Sequence, residues 1–317
     1  MEDGIPAVSE TAYPHLHPAV RGLADEDDAA RIAHIRAKRW IEHRPASVLL
    51  EMLDEVFDQP SSERMENLLI LGESGMGKTA LLRAFERRHA TPWDEARGVQ
   101  PRPVLVVRMP PVPTEKELFL KVLETLGVPP DLGGSDAFQR REATFQMLRE
   151  VGTRVLVLDE INSVLAGGAA QQRLFLQLLR FLSNELGVAL VCAGVPEARH
   201  ALMSDAQLRS RFGEVEVPPW SASAELQVFV NRLVQGFPLR QPSPVDGVKI
   251  RRLLAGRSGG TTLRICKALE RVAVAAIRGG RERIDLAALE DEAVWRAIAP
   301  ARAAPGQRSV PAAGGAE

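Results

Sequence analysis

A glycine-rich segment after residue 71 carries the residue types that bind a polyphosphate. Gly72-Glu-Ser-Gly-Met-Gly-Lys-Thr79 fits the pattern G-x-x-x-x-G-K-[ST]. Glycines let consecutive backbone N–H groups curl around phosphate oxygens, and the N-terminus of the following helix adds its positive end. Lys78 would reach the β- and γ-phosphates, and the Thr79 hydroxyl would ligate Mg²⁺. We therefore predict a nucleotide site formed by Gly72, Glu73, Ser74, Gly75, Met76, Gly77, Lys78 and Thr79.

Two adjacent carboxylates follow the third apolar run. Asp159 and Glu160 come directly after residues 154–158. Asp159 is placed to complete the Mg²⁺ shell, because ligands gather at the carboxyl edge of a parallel sheet. Glu160 is placed to polarise an attacking water as a general base. A strand followed by an acidic turn is common by itself, but together with the phosphate loop it predicts hydrolysis and argues against a small-molecule kinase.

Three arginines could add positive charge to the same phosphates. Arg209 and Arg211 follow the fourth apolar run, and a guanidinium delivered from a neighbouring subunit can stabilise the transition state of phosphoryl transfer. Arg264 lies further along, after a Gly-Gly pair, and could contact the phosphate from a helical lid. Arginine is the most frequent cation of this chain, so a plain surface role stays open for each of them.

Alternation of short apolar runs with helical patterns indicates an α/β fold. We predict strands at 68–71, 104–107, 154–158, 188–193 and 214–217. Because such runs are separated by helical segments, they favour a parallel five-stranded sheet flanked by helices. The helical patterns lie at 29–43, 47–57, 78–89, 115–126 and 171–186, and beyond Pro219 at 224–234, 248–254, 263–277 and 286–297.

These patterns divide the chain into five parts. We expect a flexible N-terminal arm at 1–24, a helical segment at 25–62, an α/β ATPase core at 63–220, a small helical lid domain at 221–298 and a disordered tail at 299–317. Pro45 is expected to end the first helix of the second part.

Composition excludes several classes of protein. The 317 residues carry 40 basic and 41 acidic side chains, so no global excess of charge indicates a polyanionic partner. The apolar runs are far shorter than a bilayer span, and the acidic start does not resemble a secretion signal. Two cysteines form neither a disulfide framework nor a zinc cluster. We therefore expect a cytoplasmic protein without membrane contact.

The order of these motifs resembles the AAA+ ATPases, and within them the TniB family of transposition regulators related to TnsC and MuB. The resemblance covers about residues 25–298 and depends on more than the phosphate loop. Its carriers are residues 34–41, 71–79, 107–111, 165–167, 172–173, 179–184, 205–208, 210–212 and 239–243.

This resemblance implies a function. It implies an AAA+ P-loop ATPase that uses ATP and Mg²⁺, assembles into a ring or helical filament on double-stranded DNA and recruits or activates a DDE-type transposase, with hydrolysis driving disassembly. A TniQ-like adaptor is a further implied partner. On the same resemblance Arg211 is preferred as the arginine finger, with Arg209 in reserve.

The sequence departs from the family pattern at two places. After Glu160 the family usually has a histidine and an asparagine, whereas this chain has Ile161-Asn162-Ser163. After the fourth strand a Gly-Thr pair is usual, whereas Val195 follows Gly194 here and cannot donate a hydrogen bond. We therefore expect hydrolysis to be slow or stimulated by a partner.

Two regions could contact the DNA backbone. Lys116, Lys121, Arg140 and Arg141 follow the second strand, where they could line a central channel. The helical unit has eleven basic and three acidic residues between 235 and 283, although a solvated helical face explains most of these equally well. Few aromatics are present for stacking single strands, so duplex binding is favoured.

Two alternative functions stay open. One is a helicase-loader or replication-initiator ATPase, and the other is a nucleotide-gated protein-binding switch.

Overall fold

Five parallel strands form the centre of the computed structural model, which describes residues 12–60, 65–129 and 136–298. The strands are β1 (Asn67–Leu71), β2 (Val104–Arg108), β3 (Val155–Asp159), β4 (Ala189–Gly194) and β5 (Phe212–Glu216), and their order in the sheet is β2-β3-β4-β1-β5. The parallel five-stranded sheet is confirmed, and each strand lies within two residues of its predicted position.

Helices cover both faces of this sheet. One face packs Leu69, Leu156 and their neighbours against Phe119 and Leu179, and the other face packs alternate strand residues against Leu53 and Phe85. The helices of this part are α2 (Arg44–Asp58), α3 (Lys78–Arg88), α4 (Glu115–Leu126), α5 (Ala137–Glu150), α6 (Ala169–Glu185), α7 (Ala198–Met203) and α8 (Ala206–Arg209), with a 3-10 helix at Ile161–Ala166. The chain alternates strands and helices as the sequence indicates.

The N-terminal part divides between the two units. Helix α1 (Asp28–Arg36) packs in the helical unit through Ile35, whereas α2 packs on the sheet through Leu53. The single helix predicted over 29–43 is therefore too long by seven residues. Pro45 does not end it but lies in the first turn of α2, where a missing N–H costs nothing.

The described part of the predicted arm is folded. A 3-10 helix at Pro18–Asp25 buries Ala24 completely, and the backbone N–H of His17 donates to the Gln235 carbonyl at 2.9 Å. Behind it, the guanidinium of the fully buried Arg31 binds Glu282 and the Pro238 carbonyl. Residues 1–11 and the predicted tail lie outside the described residues.

A helical unit follows the sheet. It contains α9 (Ala224–Gln235), α10 (Val248–Ser258), α11 (Thr262–Arg278), α12 (Leu286–Glu290) and α13 (Glu292–Arg296). The helix predicted over 286–297 is two helices, because Asp291 leaves helical geometry and accepts a hydrogen bond from Ala293 N at 2.8 Å. Helix α11 lies at the centre of this unit and also packs against α1. None of the helices in the described part of the chain combines the length and apolar character of a bilayer span.

Candidate nucleotide site

The predicted phosphate loop joins β1 to the N-terminus of α3. Gly75 has φ +81° and Gly77 has φ +92°, which L side chains rarely adopt. A Cβ at Gly75 would also lie 3.0 Å from Thr261 Cγ2 and 3.2 Å from Leu263 Cβ. Gly77 caps α3 without a side-chain hydrogen bond, so the first N–H groups of this helix are available to an anion.

Lys78 is held inside this loop. Its Nζ donates to the Gly72 carbonyl at 2.5 Å and to the Glu73 carbonyl at 3.0 Å, and the residue is only 9% exposed. Burial lowers the pKa of Lys78, and the carboxylates of Glu160, Asp159 and Glu73 oppose that shift. The loop therefore holds a desolvated cation, whose attraction for phosphate is stronger than it would be in water.

Thr79 and Asp159 meet although they are far apart in sequence. The Thr79 hydroxyl donates to Asp159 Oδ2 at 2.7 Å, and Asp159 is 3% exposed at the end of β3. Mg²⁺ in phosphate sites takes few protein ligands, which are oxygen atoms, and shares the rest between phosphates and water. A hydroxyl and a carboxylate that converge beside Lys78 fit this requirement.

Glu160 follows in an unusual backbone conformation. Its φ of 64° is left-handed, and its N–H donates to Asp159 Oδ1 at 3.0 Å. Such strain in a non-glycine residue is concentrated at functional sites, where the surroundings maintain it. The turn keeps Glu160 next to Asp159, one of the two expected Mg²⁺ ligands. The negative charge of Glu160 favours the protonated form of Lys78. This position suits a base for an attacking water.

The two departures from the family pattern are close in space. Val195 follows β4, and the last residue of that strand, Gly194, packs against Ile161 and Asn162. Asn162 Oδ1 and the Ser163 hydroxyl are buried without a hydrogen-bond partner among the described residues. A polar side chain thus lies beside the strand end at which the usual hydroxyl is missing.

The start of α11 contacts the phosphate loop directly. Leu263 N–H donates to the Gly75 carbonyl at 2.9 Å, and the Thr262 hydroxyl donates to the Met76 carbonyl at 3.3 Å. The indole N–H of Trp220 donates to the same hydroxyl at 2.9 Å. Sequence reasoning missed these contacts of Thr262 and Trp220, although Thr262 belongs to the segment before Arg264 that it singled out.

Arg264 lies one residue beyond this contact. Its Nη1 donates to the Ser258 carbonyl at 3.1 Å, and its Nε is buried without a hydrogen-bond partner among the described residues. Arg264 thus directly follows the two α11 residues that contact the loop, and its contact with a phosphate stays a prediction.

Arg211 lies at the other end of the sheet from the loop. It precedes Phe212, which pairs with Asn67 at the start of β1, whereas the loop follows Leu71 at the end of β1. Its guanidinium binds the Asn184 side chain. Arg209 is exposed at the end of α8 on the same side. Neither residue joins the other site residues within one chain.

Most of the residues of α4 and α5 that were predicted to contact DNA are buried or already paired with other side chains of the protein. Arg140 is 9% exposed, so we leave it out of any DNA-binding surface. Lys121 pairs with Glu124 at 2.8 Å, and Arg141 lies 3.8 Å from Glu115 and over two phenylalanine rings. Lys116 is exposed at the start of α4.

Comparison with known proteins identifies both family and fold. A family model described as "Bacterial TniB protein" matches residues 31–222, and no curated protein matches the chain. Among solved structures, the Aeropyrum pernix Orc1 protein in complex with DNA matches with a TM-score of 0.59 at 22% identity, over 84% of this chain and 69% of that one.

Two further archaeal structures match over similar lengths. Cdc6p from Pyrobaculum aerophilum has a TM-score of 0.58 at 18% identity, over 82% of this chain and 68% of that one. The Aeropyrum pernix Orc2 protein, in ADPNP–ADP complexes, has a TM-score of 0.60 at 20% identity, over 86% and 72%. At these identities the likeness concerns the fold, which is that of the AAA+ ATPases, as expected from the motif order.

Proposed function

We propose, since the chain belongs to the TniB family, that it is an ATP-dependent regulator of DNA transposition. It assembles on target duplex DNA and recruits or activates a DDE-type transposase, with a TniQ-like adaptor as a further partner. The observation that carries the nucleotide part is the convergence of Thr79, Asp159 and Lys78 at one end of the sheet.

ATP is the substrate of the proposed site. The loop N–H groups and Lys78 bind its phosphates, and Thr79 and Asp159 would hold Mg²⁺, which neutralises charge on the phosphate oxygens. Glu160 orients and deprotonates the attacking water, and Arg264 adds a cation from the lid side. We expect basal hydrolysis to be slow, because the Val195 side chain has no hydroxyl to donate a hydrogen bond at the end of β4.

Self-association completes the site. Arg211, with Arg209 in reserve, is too far from the loop of its own chain to serve it, so a neighbouring subunit supplies the finger. Contact between two different faces of identical subunits produces a ring when the rotation closes and a helical filament when it does not. Hydrolysis across this contact would loosen the assembly from DNA.

An initiator or helicase-loading ATPase is the second candidate. The matched Orc1 structure is in complex with DNA. This likeness supports DNA binding in both candidates and does not separate them. Stimulation of strand transfer by a cognate transposase would favour the first candidate, and loading of a helicase would favour the second.

Duplex binding measured with different nucleotides tests the proposal. Fluorescence anisotropy of a labelled duplex is followed with ATPγS, with ADP and without nucleotide. We expect binding with ATPγS alone, and its loss in Lys78→Ala together with the loss of nucleotide binding. Lys121→Ala, which removes an ion-paired lysine outside the loop, is the control and should retain nucleotide binding. Equal duplex binding with and without nucleotide would contradict the proposal.

A further inference from the structure

Helix α11 presents a basic face to solvent. Its exposed residues from the second turn onward are Lys267, Arg271, Ala275 and Arg278. At about 100° per residue these four lie within an arc of about 80° on one side of the helix. The opposite side is buried in the helical unit through Ile265, Leu269 and Val272. The outer face therefore carries three cations and a small residue between two of them.

Little of this charge is neutralised by the protein. Lys267 pairs with the half-buried Glu270 at 2.7 Å, but within the described residues no ion pair involves Arg271 or Arg278. Arg281, just beyond the helix, is also exposed and makes no ion pair with a described residue. By contrast, Arg257 pairs with Glu292 and Arg283 with Asp285 in the same unit. The stripe differs from an ordinary solvated face, where charges of both signs alternate.

The shape of the stripe fits the backbone of a duplex. Lys267 and Arg278 are separated by about 17 Å along the helix axis, at about 1.5 Å per residue. Duplex DNA carries about one negative charge per 1.7 Å of its axis, so several phosphates face a stripe of this length. Ala275 lets the helix approach closely, and the stripe has no aromatic side chain on which a single strand could stack its bases.

We propose that the exposed face of α11, with Lys267, Arg271, Arg278 and Arg281, binds the phosphate backbone of duplex DNA. The inference rests on the DNA-binding part of the proposed function and places that binding on the helical unit instead of on α4 and α5. Four cations contacting phosphates provide affinity without base specificity.

The same helix connects this stripe to the phosphate loop. Helix α11 begins at Thr262, whose hydroxyl donates to the Met76 carbonyl, and the next N–H, of Leu263, donates to the Gly75 carbonyl. A change of the loop on binding a triphosphate therefore acts on the first turn of the helix that carries the stripe. Duplex binding through α11 is accordingly expected to depend on ATP.

The salt dependence of duplex binding tests the proposal. Anisotropy titrations with ATPγS are repeated over a salt series for the wild type and for Arg271→Gln/Arg278→Gln. Each lost phosphate contact reduces the slope of log K against log salt by about 0.9, so the double variant should lose about 1.8 from the slope. When the salt concentration rises from about 50 to 200 mM, both proteins lose affinity for the duplex. The factor lost by the double variant should be about twelve times smaller than the factor lost by the wild type.

Matched variants separate charge at the stripe from charge in general. Arg257→Gln/Arg283→Gln changes the net charge of the same unit equally but removes ion-paired arginines, and should retain the wild-type slope. Arg271→Lys/Arg278→Lys retains the cations and should also retain it. Unchanged binding of ATPγS shows that each variant is folded.

The outcomes distinguish the stripe from the broader proposal. A slope that falls in the glutamine variant alone supports the stripe. Wild-type binding that requires ATP, with an unchanged slope in the glutamine variant, overturns the stripe and leaves the proposed function standing. No duplex binding by the wild type overturns both. Capture of polyglutamate but not of duplex, abolished by the glutamine variant, would assign the stripe to an acidic protein and overturn the DNA inference.

Discussion

The place of Arg211 leads to a prediction about mixed oligomers. Arg211 is beside the start of β1, and the phosphate loop begins after its end at Leu71. At about 3.3 Å per residue these points are about 17 Å apart along the strand, so Arg211 cannot reach the loop of its own chain. If it acts as a finger, it must act on the neighbouring subunit.

The magnitude follows from the roles of the two residues. Arginine fingers contribute about 10³-fold or more to turnover, which corresponds to about 4 kcal/mol of transition-state stabilisation. Arg211→Ala and Glu160→Gln should therefore each be nearly inactive. In an equal mixture, about one quarter of the interfaces combine an intact Glu160 with an intact Arg211 from the neighbour, if subunits assort at random. The mixture should recover roughly a quarter of wild-type turnover.

Phosphate release in the presence of duplex DNA measures this recovery. The control is Arg199→Ala, which removes another arginine, one that is ion-paired to Glu214 at 2.6 Å, and should keep wild-type turnover. Arg209→Ala in place of Arg211→Ala identifies which arginine is the finger. A mixture that co-assembles, as judged by crosslinking, but hydrolyses no faster than its components would refute action between subunits. Full activity of Arg211→Ala alone would remove Arg211 from catalysis.

Two further predictions concern buried polar groups. Asn162→Ala should slow hydrolysis and reduce the preference for ATPγS over ADP. The reason is that the Asn162 amide lies beside the end of β4, where Val195 has no hydroxyl. A ratio of ATPγS affinity to ADP affinity that is equal in the variant and the wild type would contradict this prediction. Burial lowers the pKa of His43 to about 4, so the unfolded chain binds more protons and the free energy of unfolding should decrease, by about 2 kcal/mol, as the pH falls from about 6.5 to 4. His43→Phe should flatten this dependence in denaturant titrations, and an unchanged slope would contradict the assignment.

Local signals made the sheet and the phosphate loop predictable. Strands β1 to β4 are short apolar runs that are almost wholly buried, which periodicity detects without knowledge of the neighbouring elements, whereas β5 is an edge strand with mostly exposed residues. The order of the strands did not follow from these runs, because it depends on which crossovers pack together. The spacing of the glycines and the lysine in the loop is set by the local backbone conformation that phosphate binding requires. Gly75 and Lys78 could therefore be identified from the sequence.

Other features depend on contacts between distant residues. Helix α5 was not predicted because its buried face contains Arg140 and Thr144 beside Phe145 and Leu148, which weakens the apolar pattern. The burial of Arg140 itself, and hence its unsuitability as a DNA contact, follows from the same packing. The extended segment after α1 has no local breaker before Pro45, so its bounds required the tertiary structure.

If the exposed face of α11 binds DNA, this one helix has two roles. A phosphate loop can influence DNA binding only through a physical connection, and the α4–α5 surface reaches the loop through the sheet and its packed helices. Helix α11 needs no such route, because Leu263 N–H and the Thr262 hydroxyl bind loop carbonyls at one end and Arg278 lies at the other. A helix of 17 residues is about 25 Å long and moves as a rigid element, so a small shift at its first turn displaces the whole stripe. On this argument, the dependence of DNA binding on ATP and the salt slope of that binding have the same structural origin.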